Sequence, residues 1–172
     1  MRLGERDLAA CCASRRWLAA VAALPGDDLG ELRRTSRRVL DELDWADIEE
    51  ALAAHPRIGE RAGGDGREAA WSRRAQAGRD GAAAELRAAF AEGNRAYEER
   101  FGHVFLIRAS GRSAREMLDE LLRRLGNDAG TERREVRAEL AEIVDLRLLK
   151  LADGKPAEGK PAEGKPAEGE DA

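Results

Sequence analysis

Val104-Phe105-Leu106-Ile107 decides the fold class of this chain, because it is the one run with the composition of a β-strand. At four residues it is open to two readings, a short strand or an extended connector between helices. Elsewhere the apolar residues recur at helical spacing, so the expectation is an all-α, single-domain bundle of about seven helices. Beyond this run, Ser113 followed three residues later by Glu116 has the form of a capping box for a helix ending at Leu125. Thr131 is expected to open a last helix to about Leu151, with Val136, Leu140, Ile143, Val144, Arg147 and Leu148 on or beside one face. In the other direction, helices are expected over residues 82–101 and 67–77, with Gly63-Gly64-Asp65-Gly66 as a loop before the second of these. Asp44 stands where an N-cap would for a helix from Trp45 to His55. Residues 29–40 form another segment, and Leu8, Cys11, Cys12, Leu18 and Val21 share a window that stops at Pro25-Gly26.

The 172 residues are about one domain long. Hydrophobic residues make up 42% but aromatics only 4%, so the core must be built mainly from Ala and Leu, which favours helices. The formal net charge is −4, and the segment 153–172, with three lysines against six acids, carries most of it. Arginines elsewhere alternate with Glu and Asp, as on solvated helix faces, so no nucleic-acid footprint emerges. From Gly154 to Glu168 the chain repeats Gly-Lys-Pro-Ala-Glu three times, with no apolar side chain larger than Ala in a core-forming pattern. A helical domain over 1–152 followed by a disordered tail over 153–172 is therefore expected. The two cysteines, Cys11 and Cys12, are neighbours, with neither a useful disulfide geometry nor a metal-site spacing. With no signal-like apolar region near Met1 and no run near the ~20 apolar residues that span a bilayer, the expectation is a cytoplasmic protein without a membrane partner.

Chemistry enters at His55-Pro56-Arg57-Ile58-Gly59-Glu60. Proline biases the residue before it away from the α region, so His55 is placed where a helix stops and its ring projects from an end. An unperturbed pKa of about 6.5 suits an imidazole to give or take a proton near neutrality. The bland reading is that a helix-terminal His before Pro is only a stop signal. Ser72 and Gln76, four apart, share one helix face and by spacing alone read as exposed. Arg147, flanked by Leu146 and Leu148, either binds an anion or closes a salt bridge with Glu139, Glu142 or Asp145. Trp17, Trp45, Trp71, Tyr97, Phe101 and Phe105 read as core, and His103 as support for the turn between Phe101 and Phe105.

Five blocks taken together are more specific. Cys11-Cys12-Ala13-Ser14-x-x-Trp17, His55-Pro56-Arg57-Ile58-Gly59, Trp71-Ser72-Arg73-Arg74-Ala75-Gln76-Ala77-Gly78, Asn94-x-x-Tyr97-x-x-x-Phe101-Gly102-His103-Val104-Phe105-Leu106-Ile107 and Leu146-Arg147-Leu148 occur in order and in register across residues 1–152. In these blocks the chain resembles the 2-oxo-4-hydroxy-4-carboxy-5-ureidoimidazoline (OHCU) decarboxylases of urate and purine breakdown. The resemblance implies an all-α fold, no cofactor, a small-molecule substrate, often a homodimer, and conversion of OHCU to (S)-allantoin and CO₂. It implies that His55 is the catalytic proton donor and that Pro56 contacts substrate. Ser72 and Gln76 are then the residues that hydrogen-bond the ureido and ring amide groups. Ile107, Arg108, Ala109, Ser110 and Gly111 correspond to a segment whose backbone lines the pocket, and Arg147 to an arginine that holds a substrate anion.

The sequence departs from the family pattern Ser-x-x-Glu-Gln, because Ala75 stands at the Glu position. Loss of such a charged hydrogen bond commonly removes about 2–4 kcal/mol of transition-state stabilisation. Three explanations stay open: Glu60 or Glu68 substitutes, the enzyme is slow or altered in substrate, or activity has been lost. The rival functions are a silent relative that binds a similar ureide and, in a different class, a helical protein-interaction module tethered by its tail. Arg108 departs too, standing where an apolar or Cys residue is more usual; it adds a cation to the pocket or faces solvent.

Overall fold

Seven α-helices and no strand occur among the described residues, 3–25, 28–59 and 80–154, of the computed structural model. They are α1 (Glu5–Cys11), α2 (Arg15–Ala22), α3 (Leu29–Glu42), α4 (Trp45–Leu52), α5 (Asp80–Phe101), α6 (Ala114–Arg124) and α7 (Ala129–Ala152). The helix expected over 67–77, the glycine loop before it, Trp71 and the repeats from residue 155 onward lie outside the described residues.

Three expectations about helix limits are corrected, each for a local hydrogen-bonding reason. The first apolar window is two helices, because Cys12 is extended and the Ser14 side chain caps a new helix by accepting the Trp17 N–H at 3.3 Å. The helix after Asp44 ends at Leu52 rather than His55, and a turn delivers the His55 N–H to the Leu52 carbonyl at 2.9 Å. Asp44 holds the N-cap position without a side-chain capping bond; its carboxylate pairs with Arg16 at 3.2 Å. The last helix starts at Ala129, capped by Asp128, whose carboxylate accepts the Thr131 N–H at 2.8 Å and the Thr131 hydroxyl at 2.9 Å. Thr131 is thus inside the first turn. The expected Ser113–Glu116 capping box forms, with bonds of 3.1 and 2.7 Å.

Two apolar clusters organise these helices. In the first, α1, α2, α3 and α4 pack with α7 around Trp17, Leu40, Ile48, Leu52, Leu140 and Leu148. The Trp17 indole N–H, buried there, donates to Ser36 Oγ on α3 at 3.0 Å. Charged pairs border the α3–α7 contact, where Arg33 grips Asp145 with two bonds of 2.6 and 2.7 Å and Arg37 meets Glu142 at 3.1 Å. In the second cluster, α5 and α6 enclose Phe90, Tyr97, Phe105, Ile107 and Leu121. Gly93 permits their close approach, since a Cβ there would lie 2.8 Å from Leu121 Cδ2.

The run that looks like a strand joins the two clusters. Val104 and Leu106 turn into the first, Phe105, Ile107 and Ala109 into the second, which is the period-two alternation of extended chain. It is therefore an apolar connector buried on both sides, and its composition reports burial rather than pairing in a sheet.

Candidate functional site

Two segments carry most of the residues expected to act. The first, residues 55–59, leaves α4 with His55 half-buried and Pro56 exposed. It is fastened to α5 in three ways. Asn94 Nδ2 donates to the Ile58 carbonyl at 2.8 Å, Arg57 makes two bonds of 2.5 and 2.9 Å to the Glu98 carboxylate, and Ile58 packs against the second cluster. Gly59 completes the loop at φ +87°, a left-handed conformation that an L side chain rarely adopts. A Cβ at that position would stand 3.4 Å from Phe90 Cβ, so the backbone hugs α5. Between this loop and α5 lies a cleft of about 230 Å³ whose lining includes Arg57, Gly59, Arg87, Asn94, Arg95 and Glu98. Asn94 is 5% exposed, and its Oδ1 has no hydrogen-bond partner among the described residues.

The second segment is the connector and the turn after it. Extended backbone away from a sheet must place its polar groups elsewhere. Here charged side chains supply the partners. Arg124, 1% exposed, donates from Nη1 to the Leu106 carbonyl at 2.8 Å, and its guanidinium lies 4.6 Å from the centre of the Phe105 ring. Glu132, fully buried, accepts from Arg124 Nε at 2.9 Å, from Asn127 Nδ2 at 2.9 Å and from the Tyr97 hydroxyl. Burial alone would push the Glu132 carboxyl up; the hydrogen bonds from Arg124, Tyr97 and Asn127 outweigh it and hold the group below the usual carboxylate range. Burial, then Glu132, raises the Tyr97 phenol, so it serves as a donor.

Past Leu106, the Arg108 N–H donates to Glu139 Oε2 at 2.7 Å. Residues 109–112 form a turn closed by the Arg112 N–H on the Ala109 carbonyl at 3.2 Å, with Gly111 at φ +78° in the third position. Ser110 and Gly111 are exposed at its tip, whereas Ile107 is buried. Arg108 points its side chain at α7, 3.7 Å from Glu142.

Arg147 sits on α7 facing the end of α1, where its Nη1 donates to the Cys11 carbonyl at 3.0 Å. The acids considered as its salt-bridge partners engage other arginines: Asp145 with Arg33, Glu142 with Arg37 and Arg108, Glu139 with Arg112. Burial pushes the Cys11 thiol up to about 12 and the Cys12 thiol to about 11, against smaller lowering by the Arg147 charge and, at Cys12, by the Ser14 backbone N–H. Both are buried free thiols.

The structure therefore brings two of the expected segments to one place: Ile58, next to the His-Pro pair, shares an apolar cluster with Ile107 and Ala109. Arg147 is fixed at the α1–α7 contact beside the first cluster. Ser72 and Gln76, with Ala75 between them, lie outside the described residues. His103 stacks among Trp45, Tyr97 and Phe101 with ring centroids 5.2 to 6.2 Å away, the packing role expected of it. Trp45 is only partly buried, one face covered by the Arg133 guanidinium at 4.8 Å. Sequence reasoning does not assign Arg124, Glu132 and Glu139 to the support of the connector. Asn94 and Tyr97 are visible in the sequence as fixed points of the fourth block, though without a role.

A helical fold with a His-Pro loop and a charge-anchored connector on one small core defines a class that comparison with known proteins identifies. The sequence profile of the OHCU decarboxylase family matches residues 5–149, and the chain belongs to that family. It is 30% identical over 160 residues to the uric acid degradation bifunctional protein TTL of Arabidopsis thaliana, covering 90% of this chain and 49% of the relative. The chain thus spans about half the length of that curated relative. Among solved structures, an OHCU decarboxylase crystallised in the presence of (S)-allantoin superposes with a TM-score of 0.73 at 28% identity, covering 87% of this chain and 99% of the other. An (S)-allantoin synthase shares the fold, with a TM-score of 0.60 at 16% identity over 85% of this chain and 48% of the other. No helix among the described residues is long and apolar enough to cross a membrane.

Proposed function

We propose that this protein is a cofactor-independent carboxy-lyase that converts OHCU to (S)-allantoin and CO₂ in urate breakdown. The observation that carries the reading is the family match over residues 5–149, which includes the His55-Pro56 pair, on a fold that superposes on an OHCU decarboxylase along nearly that protein's whole length. The substrate's chemistry makes the reaction reasonable for such a site. The carbon that bears the carboxylate adjoins a ring C=N bond, so the electron pair released as CO₂ leaves passes into the substrate itself. The protein has to orient the ring, stabilise charge and deliver one proton to one face.

In this reading His55, half-buried just past the end of α4, delivers the proton. Pro56 stiffens the wall beside it. Backbone groups of residues 107–111 border the substrate, Ser72 and Gln76 bond its ureido and ring amide groups, and Arg147 holds an anionic oxygen. A cytoplasmic setting, in keeping with two buried reduced thiols, and a homodimer belong to the same proposal.

The test is OHCU freshly generated from urate, mixed with the protein and followed by circular dichroism for optically active allantoin. Rapid appearance of one enantiomer, abolished in His55→Ala, is the expected result. Racemic allantoin formed at the protein-free rate would overturn the proposal. Ala75 favours a second reading, a weakened relative that binds the ureide but turns it over slowly. Under that reading Ala75→Glu raises the rate by roughly two powers of ten or more; no gain rejects it.

A further inference from the structure

We propose that Glu139 is a positioning residue for the substrate-facing turn, a role that rests on the decarboxylase reading and deepens it. A single carboxylate on α7 holds the two ends of residues 108–112. Oε2 accepts the Arg108 N–H at 2.7 Å, and Oε1 accepts the Arg112 guanidinium at 3.1 Å. Between those two points the backbone turns through Ala109, Ser110 and Gly111, the residues the proposed site uses through their main chain.

Three observations support the role. The Glu139 side chain is 17% exposed and that of Arg112 27%, so the pair is more shielded from solvent than Arg33–Asp145 at 40% and 26% or Arg57–Glu98 at 45% and 24%. An ionised acceptor gives the Arg108 amide a charge-assisted bond where the connector has no neighbouring strand. The connector is also pinned upstream, at the Leu106 carbonyl, by Arg124. Leu106 is thus tied to Arg124 at the end of α6 and Arg108 to Glu139 on α7, while Ile107 and Ala109 pack into the second cluster. Glu139 fixes the downstream half of that frame, and through it the direction in which the turn presents its carbonyl and N–H groups.

The experiment compares Glu139→Ala, Glu139→Gln and Arg112→Ala with the wild type in two measurements on the full chain. Hydrogen exchange of the unliganded protein reads the clamp itself. In Glu139→Ala the Arg108 amide should exchange roughly tenfold faster or more, with the amides of α7 unchanged. In Glu139→Gln, whose amide oxygen still accepts that N–H, exchange should stay within about threefold of wild type. Steady-state decarboxylation of OHCU reads the consequence. Glu139→Ala should raise KM by roughly tenfold while kcat falls by less than about threefold, Arg112→Ala should do the same more weakly, and Gln should restore most of the loss.

Unchanged exchange at Arg108 in Glu139→Ala would overturn the proposal whatever the activity. Faster exchange with KM unaltered would overturn it too, because the ordered turn would then have no bearing on substrate. A wild-type protein inert toward OHCU would instead overturn the decarboxylase reading. In that event the exchange arm still decides whether Glu139 orders the turn.

Discussion

The loop at residues 55–59 and the connector leading to residue 112 border the same apolar cluster, yet they are held in place by different means. The loop lies at the surface, and its described contacts to α5 include the Asn94 hydrogen bond to the Ile58 carbonyl, the packing of Ile58 and the Arg57–Glu98 ion pair, whose side chains are 45% and 24% exposed. The connector is buried, and its backbone is met by Arg124 and Glu139; Arg124 is in turn held by Glu132 in a pair that is essentially solvent-free at 1% and 0%. The difference follows from desolvation. A buried carbonyl or N–H without a sheet neighbour demands a fixed partner, whereas an exposed one does not. The connector thus rests its backbone groups on buried charges, whereas the described ion pair that holds the loop is partly open to water.

The strongest way to break this comparison is Glu132→Ala. It takes the buried counter-charge from the Arg124 guanidinium, leaving the more distant Glu135 carboxylate at 3.5 Å, and removes the acceptor of Tyr97 and Asn127, so unfolding in urea should show a loss of about 3–5 kcal/mol. A loss under about 1 kcal/mol would mean that the connector is no better anchored than the loop. Acid should expose the same group. The Glu132 carboxyl is lowered in the folded protein relative to its unfolded value of about 4.3. The stability it adds is therefore complete above that pH and lost as pH falls through the folded value. Melting temperature measured from pH 7 down to pH 3 should drop on the acid side, and Glu132→Gln should flatten part of that drop; an unaltered profile would remove Glu132 from the account.

On the loop side the effects are smaller. Asn94→Ala removes the donor to the Ile58 carbonyl and should cost about 1–2 kcal/mol, with faster amide exchange confined to residues 57–59. Glu98→Ala, which removes the partly solvated pair with Arg57, should cost under about 1 kcal/mol in the same urea titration. A cost above about 2 kcal/mol would place the loop on the same footing as the connector.

Most of the helical framework is legible in the amino-acid sequence. Ser113 with Glu116 marks α6, the apolar face of α7 can be followed nearly to its last residue, and helices end at Ala22 and Phe101, just ahead of the stop signals Pro25-Gly26 and Gly102. The three helix limits that spacing misplaces share a cause. Ser14 splits a window whose apolar spacing runs through it, and Asp128 outcompetes Thr131 as a cap, because a cap is decided by which side chain reaches free N–H groups and spacing alone does not rank the candidates. The apolar pattern carries α4 three residues too far for a similar reason, since alanines are good helix formers and only the turn to His55 shows where the ladder stops. Of the candidate site, the His-Pro element and the segment 107–111 are legible as motifs. The holding roles of Asn94, Glu98, Arg124 and Glu139 are not, because each reaches its partner across a gap of many residues.

By itself the sequence determined the all-α class, the helix faces, the His55-Pro56 element and the family blocks, all of which depend on local spacing and residue chemistry. It left open whether Val104-Phe105-Leu106-Ile107 pairs or merely passes between cores. Tertiary structure decided that, and it separated one glutamate from another. Glu132, Glu135, Glu139 and Glu142 look alike along α7, yet Glu132 is buried on Tyr97 and Arg124 while Glu139 holds the turn at 108–112. A helix's own sequence fixes which residues share a face; what that face meets is set by segments tens of residues away, and the cost of burying a charge is defined only once they have arrived.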